Sequence, residues 1–186
     1  MVNLGQLWLP IVLSAVLLFI MSSILWAVLP FHNQQWKATP NQDAVQDLLR
    51  KGGIQAGAYM FPYGDRKDKA AFAEAMKKWA EGPAGVLYVF PKGPMSMGKL
   101  LVQQMLFFLA VCICLALVGA HLVPRGSVYI HVFKVIGTIG FMVFFLGTIP
   151  ESIWFGRPWK FQALQLIDAL LYAGLAAGAF GWLWPR

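Results

Sequence analysis

Four long apolar segments dominate the pattern of hydrophobic and polar positions along the chain. They cover residues 7–29, 100–123, 128–149 and 161–184. At a helical rise of about 1.5 Å per residue, each is long enough to cross a hydrocarbon core of about 30 Å. The pattern therefore predicts four transmembrane helices.

The connections between these segments differ in length and composition. Residues 124–127 (PRGS) form a tight turn that makes the second and third helices an antiparallel hairpin, whereas residues 150–160 are rich in Trp, Pro and Gly and suit an interfacial loop. The predicted fold class is therefore a membrane all-α protein: a four-transmembrane-helix antiparallel bundle with a small α+β insert between helices 1 and 2.

The insert, residues 30–99, is the longest water-compatible stretch of the chain. Thr39 and Pro40 indicate a helix start, with Thr39 as the cap and Gly52 as the stop, and Asp65 is placed to cap a second helix over residues 66–81. Residues 57–62 and 86–90 read as strands. With a helix between them, the two strands could pair in parallel through a right-handed crossover.

Composition narrows the classes of function. Of the 186 residues, 59% are hydrophobic and 12% are charged, against roughly 25% charged in soluble domains. The net charge of +7 is not arranged as a basic stripe, so the expected partner is the lipid bilayer and not nucleic acid. Cys112 and Cys114 lie inside the second apolar segment and cannot crosslink the insert. No motif indicates a metal or another cofactor.

Several short motifs resemble a group of uncharacterised small bacterial membrane proteins with four helices and no known activity. These motifs are residues 26–33 (WAVLPFHN), 57–62 (GAYMFP), 81–83 (EGP), 151–156 (ESIWFG) and 181–182 (GW). The resemblance implies a bacterial inner membrane and this order of elements, and it transfers no catalytic residue.

The positive charges near the short loops predict an orientation. Arg125, Lys134 and Arg186 lie on the side of the termini, and Arg157 and Lys160 lie on the other side. The small excess on the first side favours cytoplasmic termini and a periplasmic insert. Residues 1–35 contain no Lys or Arg, so the first segment is expected to be a retained helix and not a cleaved signal peptide.

Asp168 is the sharpest candidate for a functional residue, because a carboxylate inside a membrane helix is costly and normally faces the bundle or water. One polar pocket is expected to bring together the candidate ligand-binding residues at similar depth: Asp168, Gln165 and Tyr172 on helix 4, Ser22 and Ser23 on helix 1, and Gln103 and Gln104 on helix 2. This pocket could bind a proton, an ion or a polar headgroup. Alternatively, Asp168 is structural and fixes the helix register through hydrogen bonds.

His32 and Glu151 follow helices 1 and 3 on the side of the insert. With Asp168 they are the candidates for catalysis by proton transfer. His32 and Glu151 could also bind a metal, although a typical metal site has three or four ligands. The alternative role for the two residues is interfacial capping. On the other side, His121 and His131 flank the hairpin turn and could hold a haem iron. The alternative is that His131 and Lys134 form an edge that faces the lipid headgroups.

Two further features have alternative interpretations. Trp154 and Arg157 in the interfacial loop could contact a ligand, with the indole stacked on a sugar or quinone ring, or they belong to an interfacial belt. Gly174 and Gly178 either allow close packing inside the bundle or form the face of a homodimer.

Together these features favour a non-catalytic binding or accessory protein. It would dock a lipid, a quinone-like ligand or a membrane complex through the aromatic side under its insert. The alternative is a small membrane enzyme or proton-coupled carrier that uses Asp168 with His32 and Glu151.

Overall fold

The computed structural model describes residues 2–186, which divide into two compact units. The first unit contains residues 1–36, 96–150 and 158–186, and the second contains residues 37–95 and 151–157. Within the described residues, four helical stretches are long and apolar enough to cross a membrane: Leu4–Val28, Met97–Leu122, Tyr129–Trp154 and Trp159–Trp182. The chain is therefore a multi-pass membrane protein with a mostly helical fold, as the apolar pattern predicts.

The first spanning stretch changes its helical type along its length. It begins with a 3₁₀ turn, Leu4–Leu7, continues as helix α1, Trp8–Ser23, and ends in a π-helical turn, Ile24–Val28. A second 3₁₀ turn, Asn33–Gln35, follows Pro30. These irregular turns set the direction in which residues 30–36 leave the helix.

The other spanning helices are α4, Met97–Leu122; α5, Tyr129–Phe144, which continues through the 3₁₀ turn Leu146–Thr148 into α6, Ile149–Trp154; and α7, Trp159–Trp182. Residues 150–154 are thus helical, although the sequence predicted a loop from residue 150. Helix α1 packs on α4 and α7, and α5 packs on α4 and α7, so the four form a closed bundle.

The contact between α5 and α7 is built on small residues. A Cβ atom added to Gly140 would lie 3.3 Å from the Cα atom of Ala173, and one added to Gly137 would lie 3.4 Å from the Cβ atom of Ala177. Because the two glycines have no side chain and the facing alanines have only a methyl group, the two helices can approach closely, as is common between membrane helices.

The end of the bundle that carries the hairpin turn is tied to the last residues of the chain. Trp184 Nε1 donates to Pro124 O at 3.1 Å, and Arg125 Nε donates to Arg186 O at 2.6 Å. The Gly126 backbone N–H donates to Pro185 O at 2.9 Å. These bonds satisfy the polar groups of the turn and fix its position.

The second unit contains α2, Gln42–Lys51, β1, Gly57–Phe61, α3, Lys69–Glu81, and β2, Gly85–Val89. The predicted parallel pairing is wrong: β1 and β2 are antiparallel, with Gly57 opposite Val89 and Phe61 opposite Gly85. The seven residues between β1 and α3 can span the length of the helix. The chain therefore runs away from β1 along these residues and returns along α3 to the end of β1 from which it started.

Both predicted helix caps in this unit are also wrong. Asn41, and not Thr39, precedes α2 and has a φ of 51°. Asp68 caps α3, because its carboxylate accepts from the backbone N–H groups of Ala70 and Ala71 at 3.0 Å. Asp65 instead accepts from the Lys67 N–H within the preceding turn.

Candidate functional site

The turn that ends the first spanning helix directs a histidine into the bundle. Leu29 N–H donates to Ile24 O and closes the π-helical turn, a wide turn that often occurs at functional sites. The next turn, 3₁₀ in type, then places Gln35 beside His32, and the backbone N–H of Gln35 donates to His32 O at 3.1 Å. His32 is 2% exposed as a result.

His32 pairs with Asp168 of α7. Nε2 of the imidazole lies 3.2 Å from Oδ1 of the carboxylate, and both side chains are almost completely buried. Asp168 is the only acidic residue in the described part of the first unit, which contains the spanning helices and which we call the helical unit. The pair therefore holds the first spanning stretch and its exit turn against α7, and we call it the His32–Asp168 clamp.

Gln35 sets the protonation pattern of the clamp. Its amide nitrogen lies 2.8 Å from Nδ1 of His32. When this amide donates to Nδ1, the proton of a neutral imidazole is on Nε2 and is donated to Asp168. In this tautomer the imidazole is the donor and Asp168 Oδ1 is the acceptor of the bond between them.

One oxygen of the clamp lacks a well-formed hydrogen bond. Asp168 Oδ2 is buried, and no donor within the described residues bonds to it with good geometry, although the Trp26 indole lies close enough to the carboxylate to donate. Leaving a buried acceptor unsatisfied costs about 1–3 kcal/mol, so this atom is a suitable place for an added proton or a donor group.

Aromatic rings surround the imidazole. The indole of Trp26 stacks on His32 with ring centroids 4.1 Å apart and an angle of 10° between the planes. The Phe31 ring lies 4.7 Å away and is tilted by 45°. Trp26 also lies close to Asp168 and to Tyr172, one turn further along α7. Trp26 as a whole residue is 43% exposed nonetheless.

Two more tryptophans are exposed on the helical unit at the end that carries the clamp. Trp36 follows the 3₁₀ turn and makes an edge-on contact with Phe161, with centroids 6.1 Å apart. Trp159 begins α7 and is 61% exposed. We call Trp26, Trp36 and Trp159 the aromatic end of the bundle.

The other residues of the predicted polar pocket do not join the clamp through hydrogen bonds. The hydroxyls of Ser22 and Ser23 donate to Phe19 O of their own helix at 2.9 Å. Gln103 and Gln104 are exposed on α4. Gln165 Nε2 lies 3.5 Å from Phe144 O.

Tyr172 is buried, and its ring contacts Phe108 and Phe144 at centroid distances of 5.7 and 5.4 Å. This tyrosine connects the clamp to the apolar core of the bundle.

The candidates near the third helix belong to the second unit. Arg157 Nη1 donates to Glu151 Oε2 at 2.7 Å, so the carboxylate of Glu151 is engaged by an arginine. Trp154 is 76% exposed. No group of three or more His, Cys, Asp or Glu side chains within residues 2–186 is arranged to hold a metal ion.

Sequence reasoning missed two residues of the site, Trp26 and Gln35. Both lie close to His32 along the chain, at six residues before it and three residues after it. A polar side chain three residues from a histidine in a helical turn is within hydrogen-bond reach, and this spacing could have identified Gln35. No sequence signal predicts that Trp26 folds back onto the imidazole.

Comparisons with family models, with curated proteins and with solved structures find no match to this chain. The helices and the clamp therefore carry the functional argument: this is a four-span membrane protein with a buried histidine–aspartate pair beneath a partly exposed indole.

Proposed function

We propose that the chain is a non-catalytic binding protein of the membrane whose aromatic end takes a ligand with a flat ring and an apolar tail, such as a quinone. The single observation that carries this proposal is Trp26. Its ring is held by the His32 imidazole, yet 43% of the residue is exposed.

Trp26 differs from the other exposed tryptophans. A tryptophan that serves only as an interfacial anchor needs no polar partner beneath its ring. Trp26 stacks on an imidazole that is itself bonded to Asp168 and Gln35. This support fixes the indole before a ligand arrives, which lowers the entropic cost of binding.

The burial of the clamp favours a binding function over catalysis. His32 and Asp168 have side-chain exposures of 2% and 1%, so a substrate has no direct access to the imidazole or the carboxylate. The Trp26 ring is accessible and can stack on a second flat ring.

A quenching titration tests this proposal. The protein in lipid nanodiscs is titrated with a short-chain benzoquinone, and tryptophan emission is recorded for the wild type, Trp26→Leu and Trp182→Leu. Trp182 is 74% exposed at the opposite end of α7, so it is the matched control.

We expect saturable quenching in the wild type and in Trp182→Leu, and only linear collisional quenching in Trp26→Leu. Equal saturable quenching in all three proteins, or none in any, would refute the quinone proposal. If brominated phospholipid, and not the quinone, quenches Trp26 selectively, the occupant is a lipid. If a co-purified protein shields Trp26 from both, the occupant is a membrane complex.

A second candidate function, proton-coupled transport or chemistry, is favoured by the buried Oδ2 of Asp168, which makes no well-formed hydrogen bond within the described residues. A proton could add to this oxygen or to Nδ1 of His32. The second route requires the Gln35 amide to rotate and present its oxygen to the new N–H. Glu151 would not take part, because it pairs with Arg157.

Emission from Trp26 also tests the second candidate. In this mechanism the protonated imidazole would quench the indole stacked on it. A fall in emission on acidification of the wild type that is absent from His32→Leu would therefore support the candidate. An emission profile that is independent of pH in the wild type would leave a structural clamp as the only function of the pair.

For location, we propose a bacterial inner membrane with cytoplasmic termini and a periplasmic insert. The support is the excess of Arg125, Lys134 and Arg186 on the side of the termini.

A further inference from the structure

A groove open to the surroundings runs between α5 and α7, away from the clamp. Its volume is about 450 Å³, within the roughly 300–1,000 Å³ range of small-molecule sites. The lining residues that matter are Lys134, Gly137, Thr138 and Phe141 of α5 and Leu170 and Gly174 of α7.

Glycines create the space. A Cβ atom added to Gly174 would meet no atom within 4 Å, so the groove beside it is open. Gly137 faces Ala177 across the helix contact. Apart from Lys134 and Thr138, the walls of the groove are apolar. Such walls suit an acyl chain in contact with Phe141 and Leu170.

Lys134 is a charge without a counterion. It is the sixth residue of α5, and its Cα lies about 7.5 Å along the helix axis from that of Tyr129 at the helix start. The one acidic residue in the described helical unit, Asp168, bonds to His32, and none of the ion pairs within residues 2–186 includes Lys134. A lysine at this depth normally extends its ammonium toward the headgroup layer.

The order of these residues along the groove matches the order of groups in a phospholipid. The cation lies nearest the membrane edge, and the apolar residues Phe141 and Leu170 lie deeper. His131 is exposed one turn before Lys134 on the same side of α5. It offers a second donor to a phosphate group.

We propose that this groove is a binding site for an anionic phospholipid, with the phosphate on the Lys134 ammonium and one acyl chain beside Gly137 and Gly174. Charge complementarity selects the headgroup, because the hairpin end of the bundle carries Arg125, Lys134 and Arg186 and no acidic side chain. This site is separate from the aromatic end and does not depend on the proposed function.

Native mass spectrometry after mild extraction tests the proposal. The protein is equilibrated with equal amounts of phosphatidylglycerol and phosphatidylcholine that have identical chains, and the retained lipids are counted. A lysine near an anionic surface favours the anionic lipid by about fivefold, so the wild type should retain phosphatidylglycerol with about that preference.

Four variants distinguish recognition of the lipid headgroup from binding of the acyl chain. Lys134→Gln should lose the preference for phosphatidylglycerol, and Lys134→Arg should keep it. Lys160→Gln should also keep it, because Lys160 lies at the start of α7, at the end of the bundle opposite the hairpin turn. Gly174→Leu should reduce retention of both lipids because its side chain fills the open groove. Thermal unfolding confirms that Gly174→Leu is folded, since nothing opposes its Cβ atom.

Any of the following results would overturn the proposal: no headgroup preference in the wild type, an unchanged preference in Lys134→Gln, or unchanged lipid retention in folded Gly174→Leu. A wild-type dimer that Gly174→Leu converts to a monomer without lipid loss would also overturn it, because the occupant of the groove would then be a second copy of the chain.

Discussion

At the scale of single residues, the His32–Asp168 clamp should contribute strongly to stability. Removing one partner of a buried pair costs about 3–5 kcal/mol, because the other polar group stays buried without a bond. We therefore expect Asp168→Leu and His32→Phe each to be strongly destabilising and the double variant to be less destabilised than the sum of the two.

Cys112 provides the measurement. It is buried, and Cys114 is exposed, so in a Cys114→Ala background a thiol-reactive dye labels Cys112 only on unfolding. Labelling rates at increasing temperature give the order of stability of the four proteins. Strict additivity of the two single substitutions would contradict the clamp, because residues that do not interact show no coupling.

At this scale the sequence predicted the parts of the clamp but not its geometry. Asp168 stands out because a carboxylate in an apolar segment needs a partner, and His32 stands out because it follows a helix end. The sequence grouped both with Glu151, whereas Glu151 bonds to Arg157. The distinction depends on the π-helical and 3₁₀ turns around Pro30, and hydrophobic periodicity does not encode turns of this kind.

At the scale of elements, the hairpin turn between α4 and α5 depends on Trp184. This residue is 5% exposed, whereas Trp182 is 74% exposed. Burial and the bond to Pro124 O predict that Trp184→Ala costs about 3–5 kcal/mol, while Trp182→Ala costs little. The Cys112 labelling assay compares them, and equal loss of stability in the two variants would exclude the proposed contact.

In the second unit, Gly64 is the position least tolerant of a side chain. An added Cβ atom would lie 2.7 Å from Ala71 O and 2.8 Å from the Cα atom of Phe72, both backbone atoms of α3. Overpacking of this kind costs about 1–3 kcal/mol. Gly64→Ala should therefore increase the fraction of molecules in which the insert is locally unfolded.

Limited trypsin digestion measures this opening, because the insert is rich in lysine and arginine. The matched control is Gly57→Ala, whose Cβ atom would lie 3.6 Å from the Tyr59 ring, an ordinary contact. We expect cleavage of Gly64→Ala to be about tenfold faster than that of the control, in proportion to the open population. Similar rates would mean that α3 does not pack on Gly64.

The elements of the insert were easier to predict than their pairing. The sequence indicated two helices and two strands, and the structure contains both pairs. The crossover rule for parallel strands assumes that the helix carries the chain back along the sheet. In this insert, residues 62–68 first lead the chain away from the end of β1, over a distance of up to about 23 Å when extended. Helix α3, about 20 Å long, then brings the chain back to that end, so β2 pairs with β1 in the antiparallel direction.

At the scale of the whole molecule, the four apolar helices follow directly from the sequence. A run of about 20 apolar residues can cross a bilayer as a helix, in which the backbone hydrogen bonds are satisfied internally. Their packing was less predictable. The close contact between α5 and α7 uses Gly137, Gly140, Ala173 and Ala177, while Gly174 lines an open groove. A role for Gly174 and Gly178 in a homodimer stays a prediction.

Membrane topology is the claim on which the aromatic end, the clamp and the lipid groove all depend. The proposed topology has four crossings, with the insert and the end of the third spanning helix on one side of the membrane and the hairpin turn on the other. Single cysteines at Gln46, Phe155 and Ser127, in a background with Cys112 and Cys114 replaced by alanine, test this with a membrane-impermeant maleimide. We predict that the cysteines at 46 and 155 react from the same face of sealed vesicles and the cysteine at 127 from the opposite face. Labelling of positions 46 and 155 from opposite faces, or of 46 and 127 from the same face, would contradict the four-span arrangement.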